Sequence, residues 1–224
     1  KEGIHAIEIC HFHFPATDDD YLAQLKSALE SADVTLENVL IDTGNLSNLD
    51  DAQWQADIEL AKHWQDIAAK VGAKGVRIDC GLESPTSETI KRSADALREL
   101  ADYGSSLGLA TTTENWRTTS IQADDLLEIM RQTDRPLKLC VDFGNAEKTE
   151  DKVATLKALL PHGTSLHCKG HFEGLTLDVE EFEQSLSLVK DTDFDGHISL
   201  ICDGTDDEWD KILTLKQHVE RYLF

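Results

Sequence analysis

The sequence predicts an α/β protein built from repeated strand–helix units, and two observations support that prediction. Short runs of β-branched and apolar residues alternate with longer segments whose apolar residues recur at helical spacing. The short runs start at intervals of roughly 27–37 residues, which is the length of one βα unit. Such a chain forms a parallel sheet covered by helices, either as an open doubly wound sheet or as a closed barrel.

The strand candidates are apolar runs, and the first of them opens the chain almost immediately. They begin at Ile4, Val39, Gly75, Leu109, Leu137, Thr164 and His197. We therefore expect seven βα units: either one N-terminal unit is absent from this chain, or a barrel closes with seven strands. Because no linker or composition break divides residues 1–224, we expect a single domain.

The segments between the strand candidates carry helix start and stop signals. Thr17 is a candidate N-cap for the first helix, and Gly72 is a stop signal for the second. Ser84 and Pro85 precede the third apolar stripe, which Gly108 ends. The glycine-rich fingerprints of dinucleotide and P-loop sites follow none of the strand candidates, which argues against those nucleotide-binding folds.

The chain of 224 residues is strongly acidic, with 43 Asp and Glu against 21 Lys and Arg and a formal net charge of −22. This charge repels nucleic acids and anionic membranes, so we expect neither as a partner. The sequence shows no apolar run of membrane-spanning length and no signal-peptide pattern, so we expect a cytoplasmic protein. The five cysteines are widely spaced in apolar runs, and we expect them to be free thiols.

Polar side chains occupy the strand candidates near their carboxyl ends, where apolar residues cost less to bury. They are Glu8, Asp42, Arg77, Asp79, Glu114, Asp142, His167, Lys169 and Asp203. Side chains alternate along a strand, so Arg77 shares a face with Asp79, and His167 shares one with Lys169. If this face lines a barrel, the polar groups converge at the carboxyl end of the sheet, where α/β folds carry their active sites.

The carboxylates and the imidazole of this set suit a divalent metal. Hard oxygen and nitrogen donors bind Mg²⁺, Mn²⁺, Co²⁺ or Zn²⁺ and leave positions open for a chelating substrate. The set lacks the thiolates of a structural zinc site. We therefore expect a catalytic metal centre.

Four segments are together similar to a known family. They are TTTENW at 111–116, CVDFGN at 140–145, SLHCKGHF at 165–172 and ISLICDG at 198–204. Their order and spacing resemble the xylose-isomerase-like TIM barrels of the sugar phosphate isomerase/epimerase superfamily. AIEIC at 6–10 resembles the second strand of that family. The resemblance implies a TIM-type (β/α) barrel that lacks the family's first strand.

The resemblance also implies a ligand set and catalytic roles. It places metal ligands on Glu114, Asp142 and His167, with Asp203 standing near the family's fourth ligand, a glutamate. Asp203 is one methylene shorter than that glutamate, and Ile201 is the alternative occupant of its position. Glu114 is the expected base, Asp203 the acid that returns the proton, and Lys169 a donor to the developing oxyanion.

The expected activity is isomerisation or epimerisation of a sugar, sugar phosphate or polyol through an enediolate. We expect substrate contacts from loop and strand-end residues, namely Glu8, His13, Arg77, Trp116, Asn145 and His171. A dehydratase or lyase begins with the same proton abstraction, and the altered fourth ligand keeps that alternative open. A non-catalytic sugar-binding barrel is a third interpretation. A small sugar or polyol is the expected ligand in each case, and homo-oligomerisation is compatible with all three.

Overall fold

The computed structural model describes residues 2–202 and 206–224, which fall into two compact units. The first unit comprises Lys1–Ser120 and Asp124–Lys138, and the second comprises Ile121–Ala123 and Leu139–Phe224. This division does not decide whether residues 1–224 behave as a single domain, so that expectation stays a prediction.

The first unit contains four neighbouring parallel strands with helices between them. The strands are β1 (Ala6–Cys10), β2 (Thr35–Ile41), β3 (Gly75–Ile78) and β4 (Ala110–Glu114), paired in chain order. The helices are α1 (Asp19–Ser31), α2 (Asp51–Val71), α3 (Ser87–Ser106), α4 (Arg117–Ser120) and α5 (Ala123–Thr133), and a 3-10 helix covers His11–His13. The core between them is dominated by the branched side chains of strands and helices, such as Val39, Ile58 and Leu97.

The second unit continues the same alternation with three parallel strands. They are β5 (Lys138–Asp142), β6 (Ser165–Lys169) and β9 (His197–Ile201), and β6 pairs with both of the others. The helices are α6 (Phe143–Ala146), α7 (Lys152–Leu159), α8 (Val179–Lys190) and α9 (Glu208–Leu223), with a 3-10 helix at Leu160–His162. Every strand predicted from the sequence is present among the described residues, and each is followed by a helix.

Among the elements that the sequence did not predict is a hairpin after β6. It consists of β7 (Phe172–Glu173) and β8 (Thr176–Leu177), which pair antiparallel. Strands of two residues are too short to show an alternating pattern, so sequence periodicity gives no signal for them.

Two helix starts differ from prediction by one or two residues. Asp18, not Thr17, caps α1, because its carboxylate accepts a hydrogen bond from the backbone N–H of Tyr21. Thr86 caps α3 in a reciprocal pair with Thr89, so the helix begins just beyond the predicted Ser84 and Pro85. Aspartate and threonine are both good caps, and only the backbone geometry selects between adjacent candidates.

The five cysteines are all free thiols, as predicted: Cys80, Cys140 and Cys168 are buried, and Cys10 and Cys202 are half-buried. Among residues 2–202 and 206–224, no helix combines the length and the apolarity that crossing a membrane requires.

Strand register in the first unit places the polar residues at a common level. Arg77 lies beside Leu40 of β2 and Thr112 of β4. Asp79 and Glu114 each follow two residues later on the same face of their strands, and Asp42 directly follows β2. The carboxyl ends of β2, β3 and β4 therefore carry carboxylates around the buried Arg77.

The loops at these strand ends are held together by Ser47 and Gly81. The Ser47 hydroxyl accepts a hydrogen bond from the Glu83 N–H at 3.0 Å and contacts the Thr119 hydroxyl at 3.0 Å. Gly81 has φ +135°, and a Cβ added there would overlap the Ser47 side chain and lie 2.7 Å from the Ser47 backbone nitrogen. Only glycine allows this approach of the two loops.

We predict that Gly81→Ala destabilises the protein by about 3 kcal/mol, because the new methyl group displaces backbone as well as a side chain. Gly108→Ala is the matched control, since Gly108 also has a positive φ but has no atom within 4 Å of the added Cβ. The control should cost only about 1–2 kcal/mol for the left-handed backbone. Urea unfolding of both variants measures the difference, and equal losses would show that loop contact contributes nothing.

Candidate active site

A buried arginine links the strand ends of the first unit. Arg77 Nη1 lies 2.5 Å from Asp42 Oδ1, and Arg77 Nε lies 2.9 Å from Glu114 Oε2. The side chains of Arg77 and Glu114 are only 5% and 3% exposed. Burial alone would lower the pKa of Arg77, but Glu114, Asp42 and Asp79 raise it above its usual value, so the guanidinium stays charged. The contact with Arg77 thus holds the Glu114 side chain in a fixed position.

A second arginine, which the sequence analysis did not single out, extends this cluster. Arg117 Nε lies 2.7 Å from Asp79 Oδ2, and Arg117 Nη2 donates a hydrogen bond to the Asp42 carbonyl oxygen at 2.9 Å. Arg117 has φ +58°, a left-handed conformation that is uncommon for residues other than glycine. In the sequence, the only feature that could have pointed to Arg117 is its position directly after the ENW segment at 114–116.

Trp116 packs against both arginines. The guanidinium carbon of Arg117 lies 4.3 Å from the centre of the indole ring, and that of Arg77 lies 5.0 Å from it. Trp116 was predicted to bind substrate, and that role stays a prediction. The contacts in the structure are cation–π contacts that hold the two arginines beside the strand ends.

Two other predicted substrate contacts of the first unit lie elsewhere. Glu8 was expected to end its strand, but it lies in the middle of β1 and accepts a hydrogen bond from the Asn38 amide at 2.7 Å. Glu8 pairs with Asn38 of β2, which pairs with Gly75 of β3, which in turn pairs with Ala110 of β4. Glu8 is therefore level with the first residues of β3 and β4. His13 is exposed and packs edge-on against Phe12, with 4.5 Å between the ring centroids.

In the second unit, Asp142 and His167 form a close buried pair. They are register partners on β5 and β6, and Asp142 Oδ2 lies 3.5 Å from His167 Nδ1. Burial alone would raise the pKa of Asp142, but His167, the backbone N–H of Asn145 and Lys169 hold it below its usual value. The Asn145 N–H donates to Asp142 Oδ1 at 2.6 Å, which makes Asp142 the N-cap of α6.

The other residues of the second unit that were predicted to take part in the site differ in how far they are buried. Lys169 is half-buried and packs its stem against Gly144, where a Cβ would collide with it. Asn145 is buried and its amide oxygen accepts a hydrogen bond from Lys148 at 2.9 Å. The side chain of His171 is 76% exposed, with Nδ1 3.9 Å from a carboxylate oxygen of Glu147. Asp203, predicted as ligand and acid, lies outside the described residues.

The Asp142–His167 pair fits a divalent metal. With metal–oxygen and metal–nitrogen bonds of about 2.0–2.2 Å, two ligand atoms on one ion lie roughly 3–3.5 Å apart. The separation of 3.5 Å between Oδ2 and Nδ1 is at the upper end of that range. The donor set is hard, buried and anionic, which is the chemistry that a divalent cation requires.

Comparison with known proteins gives a family-model match and structural similarities. The family model described as xylose isomerase-like TIM barrel matches residues 1–218. A structure of L-ribulose 3-epimerase superposes with a TM-score of 0.74 at 16% identity, over 99% of this chain and 84% of that one. A D-psicose 3-epimerase with D-tagatose, from Clostridium cellulolyticum H10, gives a TM-score of 0.75 at 15% identity, over 99% of this chain and 90% of that one.

A third similar structure is a xylose isomerase-like TIM barrel protein from Mycobacterium smegmatis in complex with magnesium. It gives a TM-score of 0.71 at 14% identity, over 99% of this chain and 85% of that one. No curated protein sequence matches the chain significantly. The family-model match and the structural similarities confirm the predicted TIM-barrel fold class.

We predict that Asp79 makes the stability of the folded protein fall as the pH rises from about 4 to 7. Burial raises the pKa of this carboxyl to about 7, although Arg117 and Arg77 oppose the shift. The unfolded chain releases this proton near its ordinary pKa of about 4, so over this interval the folded state binds more protons. Ionisation therefore costs stability as the pH rises.

Urea unfolding at several pH values between 4.5 and 7.5 measures this effect in the parent and in Asp79→Asn, which cannot ionise. A pKa shift of about three units corresponds to a change of up to about 4 kcal/mol over this interval. The parent should lose more stability than the variant over the interval. Parallel pH profiles would contradict the raised pKa.

Proposed function

The chain belongs to the xylose isomerase-like TIM barrel family, and from this we propose that it is a divalent-metal-dependent isomerase or epimerase of a sugar, sugar phosphate or polyol. The observation that carries the proposal is the burial of Glu114, Asp142 and His167 at the carboxyl ends of their strands. Within this set, Asp142 and His167 lie 3.5 Å apart, a separation that a shared divalent cation fits. Two of the similar structures are named as sugar 3-epimerases, which agrees with the proposed substrate class.

We propose Glu114, Asp142 and His167 as metal ligands. A divalent cation supplies Lewis-acid polarisation of a substrate carbonyl and its neighbouring hydroxyl when it is bound. Glu114 accepts the carbon-bound proton of the substrate, and the contact with Arg77 holds its carboxylate in place. Lys169 donates a hydrogen bond to the oxygen on which negative charge develops.

The second proton-transfer group distinguishes an epimerase from a lyase. In the described part of β9, Ser199 and Ile201 are the register partners of His167 and Lys169, and neither carries a carboxylate. Asp203, which lies outside the described residues, is the proposed acid of a two-base epimerase. A one-base dehydratase or lyase, which needs no carboxylate on this strand, is the second candidate function.

We propose a small sugar or polyol as the ligand. We propose no nucleic acid partner, because a net charge of −22 repels nucleic acids. Cytoplasmic localisation and homo-oligomerisation stay predictions.

We predict that His167→Ala loses most of the affinity for Mn²⁺, because an imidazole ligand disappears from a buried site. Isothermal titration calorimetry of the metal-free protein with Mn²⁺ measures the effect, and we expect a loss of at least about tenfold. His162→Ala is the matched control, because His162 is exposed on a 3-10 helix and should leave the affinity unchanged. Unchanged affinity in His167→Ala would remove His167 from the ligand set.

We predict that Glu114→Gln slows the exchange of the carbon-bound hydrogen of the substrate with solvent by about 10²–10⁴-fold, the usual contribution of a general base. The measurement is deuterium wash-in by NMR at saturating Mn²⁺, with a ketohexose such as D-tagatose as the probe. If Glu114→Gln exchanges at the parent rate, Glu114 is not the base.

Asp42→Asn is the matched control for Glu114→Gln. Both changes remove one of the two carboxylates that contact Arg77, and we expect each to cost about 3 kcal/mol of stability. Asp42 is not among the proposed bases or ligands, so its variant should retain exchange far better than Glu114→Gln. Equal losses in both variants would indicate that the charge on Arg77, and not the base, controls the rate.

A further inference from the structure

A cysteine lies directly beneath the Asp142–His167 pair. Cys140 is two residues before Asp142 on β5, so their side chains lie on the same face of the strand. Its sulfur lies within 4.8 Å of a ring nitrogen of His167, and both residues are buried. Cys140 was predicted only as one of five free thiols in apolar runs, but its position is that of a potential ligand.

The same level of the sheet contains a buried hydroxyl that the described structure does not satisfy. Ser165 is the register partner of Cys140 and lies two residues before His167, on the same face. Ser165 is 2% exposed, and its hydroxyl has no hydrogen-bond partner among the described residues. Buried hydroxyls are almost always satisfied, so the Ser165 hydroxyl indicates a polar ligand at this level of the sheet.

The distances suit a sulfur ligand. Metal–sulfur and metal–nitrogen bonds of about 2.3 and 2.1 Å place two ligands of one ion roughly 3–4 Å apart. A rotation of the Cys140 side chain covers the difference from the upper limit of 4.8 Å. Cys140 and His167 therefore lie within reach of one ion.

We propose that Cys140 is a thiolate ligand of the metal that His167 binds, and that the site therefore prefers Zn²⁺ or Co²⁺ to Mg²⁺. Thiolates select softer, thiophilic cations, whereas a site with only oxygen and nitrogen donors accepts Mg²⁺. The thiol proton leaves to solvent when the metal binds, and no electron transfer is involved. The proposal rests on the proposed metal centre and adds to it a ligand and a metal class.

The test is the absorption spectrum of the metal-free full chain titrated with Co²⁺. A cobalt–thiolate bond gives an intense near-ultraviolet charge-transfer band that oxygen and nitrogen ligands do not give. The parent should show this band, and Cys140→Ser should lose it and bind Co²⁺ at least about tenfold more weakly. The affinity for Mg²⁺ should change much less than the affinity for Co²⁺.

Cys168→Ser is the matched control. Cys168 is also a buried strand cysteine, but it lies between His167 and Lys169 and so faces the opposite side of β6. Its variant should keep the band. Cadmium NMR of the parent gives a measurement that needs no variant, because a sulfur ligand moves the cadmium resonance far downfield.

The outcomes separate the two proposals. A parent that binds Co²⁺ without the charge-transfer band, or a band that persists in folded Cys140→Ser, overturns the role of Cys140 and leaves the metal centre intact. A parent that binds neither Co²⁺ nor Mn²⁺ overturns both. A band that is present in the parent and in Cys168→Ser, but lost in Cys140→Ser, supports the inference.

Discussion

The burial of a permanently charged guanidinium is the constraint on which the candidate site of the first unit depends. Arg77 cannot lose its proton inside the protein, so the fold must surround it with acceptors. Asp42 and Glu114 provide them directly, and Trp116 covers the guanidinium. These partners come from the ends of β2 and β4 and from the loop that follows β4, so satisfying one charge fixes three segments of the chain.

In the second unit the buried charged group is a carboxylate, that of Asp142, instead of a guanidinium. Asp142 receives an N–H from Asn145 and the imidazole of His167, and it caps a short helix at the same time. One side chain thus ends a strand, starts a helix and presents its second oxygen to His167. A carboxylate that caps a helix has little freedom to reorient, so the oxygen that faces His167 is held in place.

The strands were predictable from the sequence because each combines an apolar run with a length that fits one βα unit. The polar strand ends were predictable too, since Glu114, Asp142 and His167 stand at or near the ends of runs that are rich in apolar and β-branched residues. Register was not predictable: the shift between Ile7 and Glu8 in the pairing of β1 with β2 helps to place Glu8 level with the start of β3. Arg117 was missed because a left-handed backbone after a strand leaves no periodic signal.

The pairing of Arg77 with Glu114 also constrains how this sequence can change over evolutionary time. Losing Glu114 alone leaves a buried cation with only part of its compensation, and losing Arg77 alone leaves buried carboxylates facing one another. Each single replacement is therefore less favourable than the exchange of both residues together. Lineages that abandon one member are expected to have replaced the other as well, so the two positions should covary among descendants of this fold.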